Sequence, residues 1–274
     1  MNTGYLTENT FTLPGGLMLQ QDQVLNMAML RPLSGREEEW LAQHRDVPSA
    51  MRVSWLLNAC MVALGDRPVD RDLVQQLLVA DRQYLILQLR RLTLGNQVQA
   101  VVSCPSCNQK MDVDFHLSDV PVEPRIQSVP SYALEISDRI VQFRLPTGGD
   151  QEAVLETQTE NAVAELLNRC LLSDGGKSLS SEEDDAVIAE MERLAPQVEL
   201  ELDLTCPECS HRFLLPFDTT AFFFEEMVLR GDTLLREIHA LAFYYHWSEA
   251  EILKLERTRR RAYLRLLNES LSQD

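Results

Sequence analysis

Two four-residue stretches hold the side chains best placed for chemistry: Cys104-Pro-Ser-Cys107 and Cys206-Pro-Glu-Cys209. Each is half of a tetrahedral metal site, because two thiolates alone cannot complete the coordination shell of zinc. The two pairs stand 98 residues apart. Both place proline directly after the first cysteine, and each lies between two strand-like segments. Facing one another, they predict a split four-cysteine zinc ribbon: Cys104, Cys107, Cys206 and Cys209 around one Zn2+ at about 2.3 Å, with no open position. A closed site of this kind is structural. Folding and metal binding become one equilibrium, worth on the order of 10 kcal/mol in isolated fingers. The redox alternative needs a CxxC opening a helix in a βαβ unit, and neither pair is followed by a helical pattern. Cys60 and Cys170 sit in apolar helical stretches and read as core residues.

Other candidate chemistry is sparse. His211 neighbours the second pair and could stand in for a cysteine, but four cysteines are already available. His239 and His246 are seven apart on one helix, whereas a metal-binding pair prefers four. There is no GxSxG, HExxH, Walker loop or dinucleotide glycine fingerprint, and Gly148-Gly149 lacks the lysine and spacing of a phosphate loop. No catalytic residue is predicted, and a small-molecule substrate is not expected. The stretch KLERTRRRAYLRLL, residues 254–267, carries Lys254, Arg257, Arg259, Arg260, Arg261 and Arg265 against Glu256 alone. Basic residues suit the C-terminal half of a helix through its dipole, so these are either a solvated or internally paired face, or a docking surface for an acidic partner. Arg257, Arg259, Arg260, Arg261 and Arg265 are the candidate partner-binding residues.

The totals bound the function. The chain has 274 residues, 45% of them apolar, enough for a sizeable core without a metal. A net charge of −17 repels phosphate backbones and argues against wholesale nucleic-acid binding. Residues 151–205 concentrate that charge, with 14 acidic side chains against three basic ones. The first residues carry neither the basic nor the apolar region of a signal peptide, and no apolar run reaches the roughly 18 residues of a membrane span. A cytoplasmic protein with reduced cysteines is expected, without membrane insertion.

Certain elements must position the cysteines. Residues 10–20 read as extended chain around a Pro-Gly-Gly turn, followed by a second strand. Ser34 and Glu37 form a capping box that opens a helix. A second helix is expected from Ser49 to Leu64, stopping at Gly65. Asp70 to Leu94 reads as helix on one apolar face, with Asp81 as an internal cap that divides it into two helices and Gly95 as the stop. Strand, knuckle, strand follows twice, around each cysteine pair. Between them come a hairpin over residues 132–145, a helix N-capped by Asp150, and a polar loop from Ser173 to Asp185. Helix is expected from Asp232, with Ser248 and Glu251 opening a last helix that ends near Leu271.

Four stretches together, LRPLSGREEEWL, VADRQYLILQLRRLTLGNQVQAVVSCPSC, FRLPTGGDQEAV with CPEC, and EIHALAFYYHWSEAEILKLERTRRRAYLRLL, resemble in their order the baseplate hub assembly family of T-even-type contractile-tailed phages and of related phage-tail-like contractile injection systems. The resemblance implies a non-enzymatic adaptor or assembly factor whose partners are baseplate, hub or spike proteins. The fold expected is α+β: a mainly helical body from residues 1–97 and 218–274, a split ribbon at 98–117 and 200–217, and an inserted acidic α+β region at 118–199. The alternative is a zinc-ribbon nucleic-acid or transcription-associated module. A basic, aromatic ribbon would favour it, but beside these knuckles only Lys110, His211 and Arg212 are basic. A hydrolase hidden in the inserted region is a third reading, and it would require a cleft with convergent titratable groups.

Overall fold

The computed structural model describes residues 9–19, 23–125, 128–136, 139–155, 159–173, 179–198 and 200–272. Strands β1 (Thr10–Met18) and β2 (Val24–Leu30) pair antiparallel. Pro14-Gly15-Gly16 is not the expected turn. It lies inside β1, where the register with β2 shifts between Thr12 and Leu17, and the strand bends there as a bulge does. Gly16 has φ +73, and a Cβ on Gly15 would come within 2.6 Å of Leu78, so both positions exclude a side chain.

Helix α1 (Gly35–Gln43) starts at the Ser34/Glu37 capping box, as expected. Helix α2 (Ser49–Cys60) stops earlier than expected. Met61–Leu64 forms β3 against β2, and Gly65 (φ +59) turns the chain into β4 (Arg67–Pro68). The stretch is two helices, as expected: α3 (Arg71–Gln76) and α4 (Val79–Leu94), with Asp70 capping the first and Gly95 (φ +96) ending the second. The break falls at Leu77 and Leu78, and Asp81 is not its cap: the Asp81 carboxylate accepts from the Gly15 N–H at 2.7 Å. Strands β5 (Gln97–Ser103) and β6 (Lys110–His116) flank the first cysteine pair.

Strands β7 (Tyr132–Ile136), β8 (Arg139–Phe143) and, after two helices, β9 (Leu171–Ser173) form a sheet in that order. Those helices are α5 (Gly148–Ala153) and α6 (Thr159–Cys170). Thr147, not Asp150, is the cap of α5; Asp150 is the reciprocal third residue of a capping box. The expected polar loop from Ser173 to Asp185 is cut short by α7 (Ser181–Leu194), which Ser180 and Glu183 open in the same way, while residues 174–178 of that loop lie outside the described ones. Strands β10 (Glu201–Thr205) and β11 (Arg212–Pro216) flank the second pair. Helix α8 (Thr219–Tyr245) begins at Asp218, well before the expected Asp232. The Ser248/Glu251 box opens only a short α9 (Glu249–Leu253), and the basic segment forms a separate α10 (Arg257–Leu271). The chain is thus mixed helix and sheet, of the α+β class.

These elements fall into two compact units. The first draws on Met1–Leu30, Pro48–Leu85 and Val122–Val198, so the stretch expected as a separate insert shares a unit with the N-terminal strands. Its largest sheet runs β1-β2-β3-β4, and a hydrophobic core gathers Val141, Phe143, Leu167 and Val187. Gly148 has a packing role here. Arg82 is buried, donates to the Ala50 carbonyl at 2.7 Å and the Ser54 hydroxyl at 2.8 Å, and passes where a Cβ on Gly148 would stand. The second unit draws on Arg31–Val47, Ile86–Pro121 and Glu199–Asp274. Its C-terminal core is Leu234, Ile238, Leu241, Ile252 and Leu253.

Two buried acids of the first unit act oppositely with pH. Burial pushes the Asp81 carboxyl up to about 6, against the Gly15 and Gly16 N–H groups and Arg125. Asp150 is held at about 2: burial opposes its charge, but the Arg144 guanidinium and the Thr147 N–H and hydroxyl outweigh it. Between about pH 4 and 6 the folded chain therefore keeps a proton on Asp81 that the unfolded chain gives up, and this group's contribution to stability is lost as pH rises. Asp150 contributes stability above about pH 4 that is lost as pH falls toward 2. Asp81→Asn is expected to gain on the wild type by on the order of 2 kcal/mol as pH rises from 4 to 7. Urea unfolding at several pH values checks this, and parallel stability curves for the two proteins would contradict it.

Candidate metal centre

The two cysteine-bearing hairpins are built alike. In the first, β5 and β6 stay in register from Gln97–His116 to Ser103–Lys110. In the second, β10 and β11 pair from Glu201–Pro216 to Thr205–Arg212. In each knuckle the first cysteine donates its N–H to the carbonyl five residues on, at 2.9 Å in both: Cys104 to Gln109 and Cys206 to His211. In each, its carbonyl accepts from the residue four ahead, Asn108 or Ser210, at 2.9 and 3.0 Å. Those two residues are left-handed, both with φ 58. Two stretches distant in sequence thus adopt one backbone conformation, in which both sulfurs of a pair turn to the same side.

The four sulfurs meet. Cys104 Sγ lies 3.7 Å from Cys209 Sγ, and Cys107 Sγ lies 3.6 Å from Cys206 Sγ. All four atoms lie within 4.8 Å of one another. A tetrahedron with metal–sulfur bonds of about 2.3 Å has edges of about 3.8 Å, so this spacing fits a metal ion. It does not fit disulfides, whose sulfurs stand about 2.05 Å apart, and all six cysteines are free. Cys104 and Cys206 are buried, while Cys107 and Cys209 are exposed.

The thiols do not titrate alike. Burial disfavours a thiolate at Cys104, but the Cys107 and Ser106 N–H groups point at its sulfur and bring it down to about 7. Cys107 is pushed up to about 12: the Gln109 backbone favours its thiolate, and the neighbouring cysteine sulfurs oppose it more strongly. Crowding four sulfurs in this way favours a cation among them, since thiolates are the metal-binding form. Histidine adds no ligand. His211 stacks on Phe213 at 5.9 Å, His239 stacks on Phe243, and His246 forms the left-handed cap of α8. Cys170 lies in the first unit's core, where burial lifts its thiol to about 11, and Cys60 is also buried.

Two supports beneath the hairpins were not foreseen from sequence. Leu87, Val98, Leu117 and Val120 form a core on which Phe115, Leu200, Phe217 and Phe222 pack, with the Phe115 and Phe217 rings edge to face at 5.1 Å. This joins β6, the flank of β11, α4 and α8. Arg90 of α4 is a clamp: it holds Glu226 through two bonds of 3.0 and 3.1 Å and donates to the Gly95 and Gln97 carbonyls at the foot of β5. The only sequence signal for it was an arginine in a helix with too little exposed face to solvate it.

The candidate docking arginines divide. Arg260 is fully buried and Arg257 nearly so. Arg260 donates to Glu237 at 3.0 Å, to Glu38 at 2.8 Å and to the Leu255 carbonyl at 2.8 Å, and Arg257 lies 3.6 Å from Glu38. Neither has a surface to offer a partner, so both leave the docking set. Arg259, Arg261 and Arg265 are exposed, with Arg259 beside the Tyr263 hydroxyl and Arg261 at 3.9 Å from Glu237. No helix among the described residues is long and apolar enough to cross a membrane.

The family model described as T4 bacteriophage base plate protein matches residues 25–225, which include all four cysteines. No curated protein and no solved structure matches the chain.

Proposed function

The chain belongs to the T4 bacteriophage base plate protein family, and from that premise we propose that it is a non-enzymatic adaptor or assembly factor of the baseplate hub in a contractile tail or injection particle. It works through protein–protein contacts, in the cytoplasm where particles assemble, with baseplate, hub or spike proteins as partners. Its cysteine centre holds a structural Zn2+. The observation that carries the zinc assignment is the closed set of four thiols: a divalent ion there has every position filled by protein, which suits a role in shape rather than reaction. The ribbon hairpins expose Asp112, Asp114, Glu201 and Asp203, which disfavours a nucleic-acid reading.

In this reading Arg259, Arg261 and Arg265 on the outer side of α10 meet an acidic surface of the partner. Reversing all three to glutamate is expected to cut incorporation into particles, or particle yield, about tenfold or more while leaving the melting temperature within a few degrees. Complementation of a deletion strain, with particles counted by electron microscopy, tests it. Normal particle yield from the triple variant would remove α10 as the docking surface.

A further inference from the structure

A cleft of about 470 Å³ opens in the first unit at the end of β1, within the usual range of ligand sites, about 300–1,000 Å³. Leu17, Leu78, Val129, Pro130 and Leu145 give it apolar walls. On a chain of net charge −17, the charged side chains that line it among the described residues are Arg125 and Arg144. Arg144 is held by Asp150 at 2.6 and 2.9 Å. Arg125 makes no ion pair among the described residues: its Nε donates to the Ser128 hydroxyl at 3.0 Å, and its Nη2 is buried without an acceptor. The nearby Asp81 carboxylate accepts from the Gly15 N–H instead. A cationic guanidinium with no carboxylate beside an apolar cleft suits an incoming carboxylate.

The backbone beside the cleft is a strand edge, since the sheet runs β1-β2-β3-β4. At Pro14 and Gly15 that edge is covered. The Arg125 N–H donates to the Pro14 carbonyl at 3.1 Å, and Glu123 exchanges both backbone bonds with Gln197, at 2.9 and 3.0 Å, which anchors the covering segment. From Gly16 to Leu19 the edge lines the cleft. Leu19 donates its N–H to the Gln23 carbonyl at 2.8 Å, and Leu17 and Met18 stand opposite Leu25 and Val24. Bonded and non-bonded pairs alternate along an antiparallel ladder, so the Met18 N–H and carbonyl point away from β2. An extended peptide can add to such an edge as a further strand. Antiparallel addition, the more stable arrangement, runs the peptide from Leu19 toward Gly16. There the segment around Arg125 blocks the edge, so the added strand has to end, and the charged group it meets is Arg125. We propose that the cleft takes the last residues of a partner protein as an added antiparallel strand, with the terminal carboxylate on Arg125. An acidic side chain within a continuing chain fits less well, because that chain would have to leave the edge at the same point.

Random octapeptides displayed with free C-terminal carboxylates are selected on the full-length chain, and the enriched peptide is synthesised as the free acid and as the amide. Fluorescence anisotropy should find the acid bound and the amide about tenfold weaker or more, through loss of a charge-assisted pair. Arg125→Gln, checked for folding by circular dichroism, should weaken the acid by a similar factor and leave the amide unchanged, as expected of two groups in contact. Methylating the peptide nitrogens one at a time should weaken binding at alternate positions, the signature of an added strand. The amide and methylated peptides test the site on the unaltered chain. Peptide binding is read independently of particle assembly, so its failure leaves the baseplate role standing. Absence of any enriched peptide would overturn the proposal, as would equal binding of acid and amide, or binding of the acid that a folded Arg125→Gln variant leaves unchanged.

Discussion

Cys206→Ser combined with Cys209→Ser is expected to abolish metal binding and to collapse the second compact unit. Binding in isolated four-ligand fingers is worth on the order of 10 kcal/mol, comparable with the whole stability of a typical domain, about 5–15 kcal/mol. The double variant removes both ligands of one hairpin and leaves the other with only two, which cannot close the shell. The hairpins would then be held by the core of Leu87, Val98, Leu117 and Val120 and by the Arg90 clamp at the foot of β5. Elemental analysis should read about one zinc per chain in the wild type and none in the variant, and the melting transition should fall or broaden. A variant with unchanged zinc and unchanged melting would remove the cysteines from the account. Cys60→Ala and Cys170→Ala are the controls: both leave zinc in place while costing packing, about 1 kcal/mol or more each.

Arg260→Ala should produce the second largest effect. Its guanidinium is fully buried and uses all three nitrogens: Nε on Glu237, Nη2 on Glu38 and Nη1 on the Leu255 carbonyl. Removing it leaves two buried carboxylates facing a cavity. Breaking a buried ion pair from one side costs about 3–5 kcal/mol. Lysine should not rescue it, because a single ammonium cannot span the fork. Arg259→Ala, one position away and exposed, should change stability by no more than about 0.5 kcal/mol. Urea unfolding of the three variants gives the comparison; equal effects at 259 and 260 would mean that the buried network contributes nothing specific.

Legibility in the sequence followed the range of the interactions. The capping boxes at Ser34/Glu37 and Ser248/Glu251 need only three residues of context, and both are present. The cysteine knuckles repeat one local geometry, so their pairing was readable across 98 residues because each half announces itself. Asp150 was misread for a related reason: aspartate is a good cap, but Thr147 three residues earlier takes that place and Asp150 is the third residue of the box. The start of α8 was missed because Gly231 interrupts the pattern. A Cβ there would lie 3.2 Å from Ala42, so the glycine serves close packing against α1 rather than ending a helix. Met61–Leu64 is apolar enough for either state, and its partner β2 decides for strand.

The arginines divide between the two readings the sequence left open: Arg257 and Arg260 are paired internally, and Arg259, Arg261 and Arg265 are exposed. A basic helix read alone resembles a docking face. Which of its cations are internal depends on Glu38, which stands 222 residues from Arg260, and on Glu237 of another helix. No periodicity within the helix carries that information. The buried pair also explains why the capping residues of α1 matter beyond the helix itself: the same turn that caps with Glu37 places Glu38 to receive Arg260.

The most direct measurement is a fractionation. The native gene cluster is expressed with this protein tagged, assembled particles are sedimented, and pellet and supernatant are blotted, alongside a deletion of the gene. The account predicts either co-sedimentation in fixed ratio, which makes the protein a baseplate component, or a soluble protein without which particles fail to form, which makes it an assembly factor. A soluble protein whose deletion leaves particles intact and in normal number would contradict it.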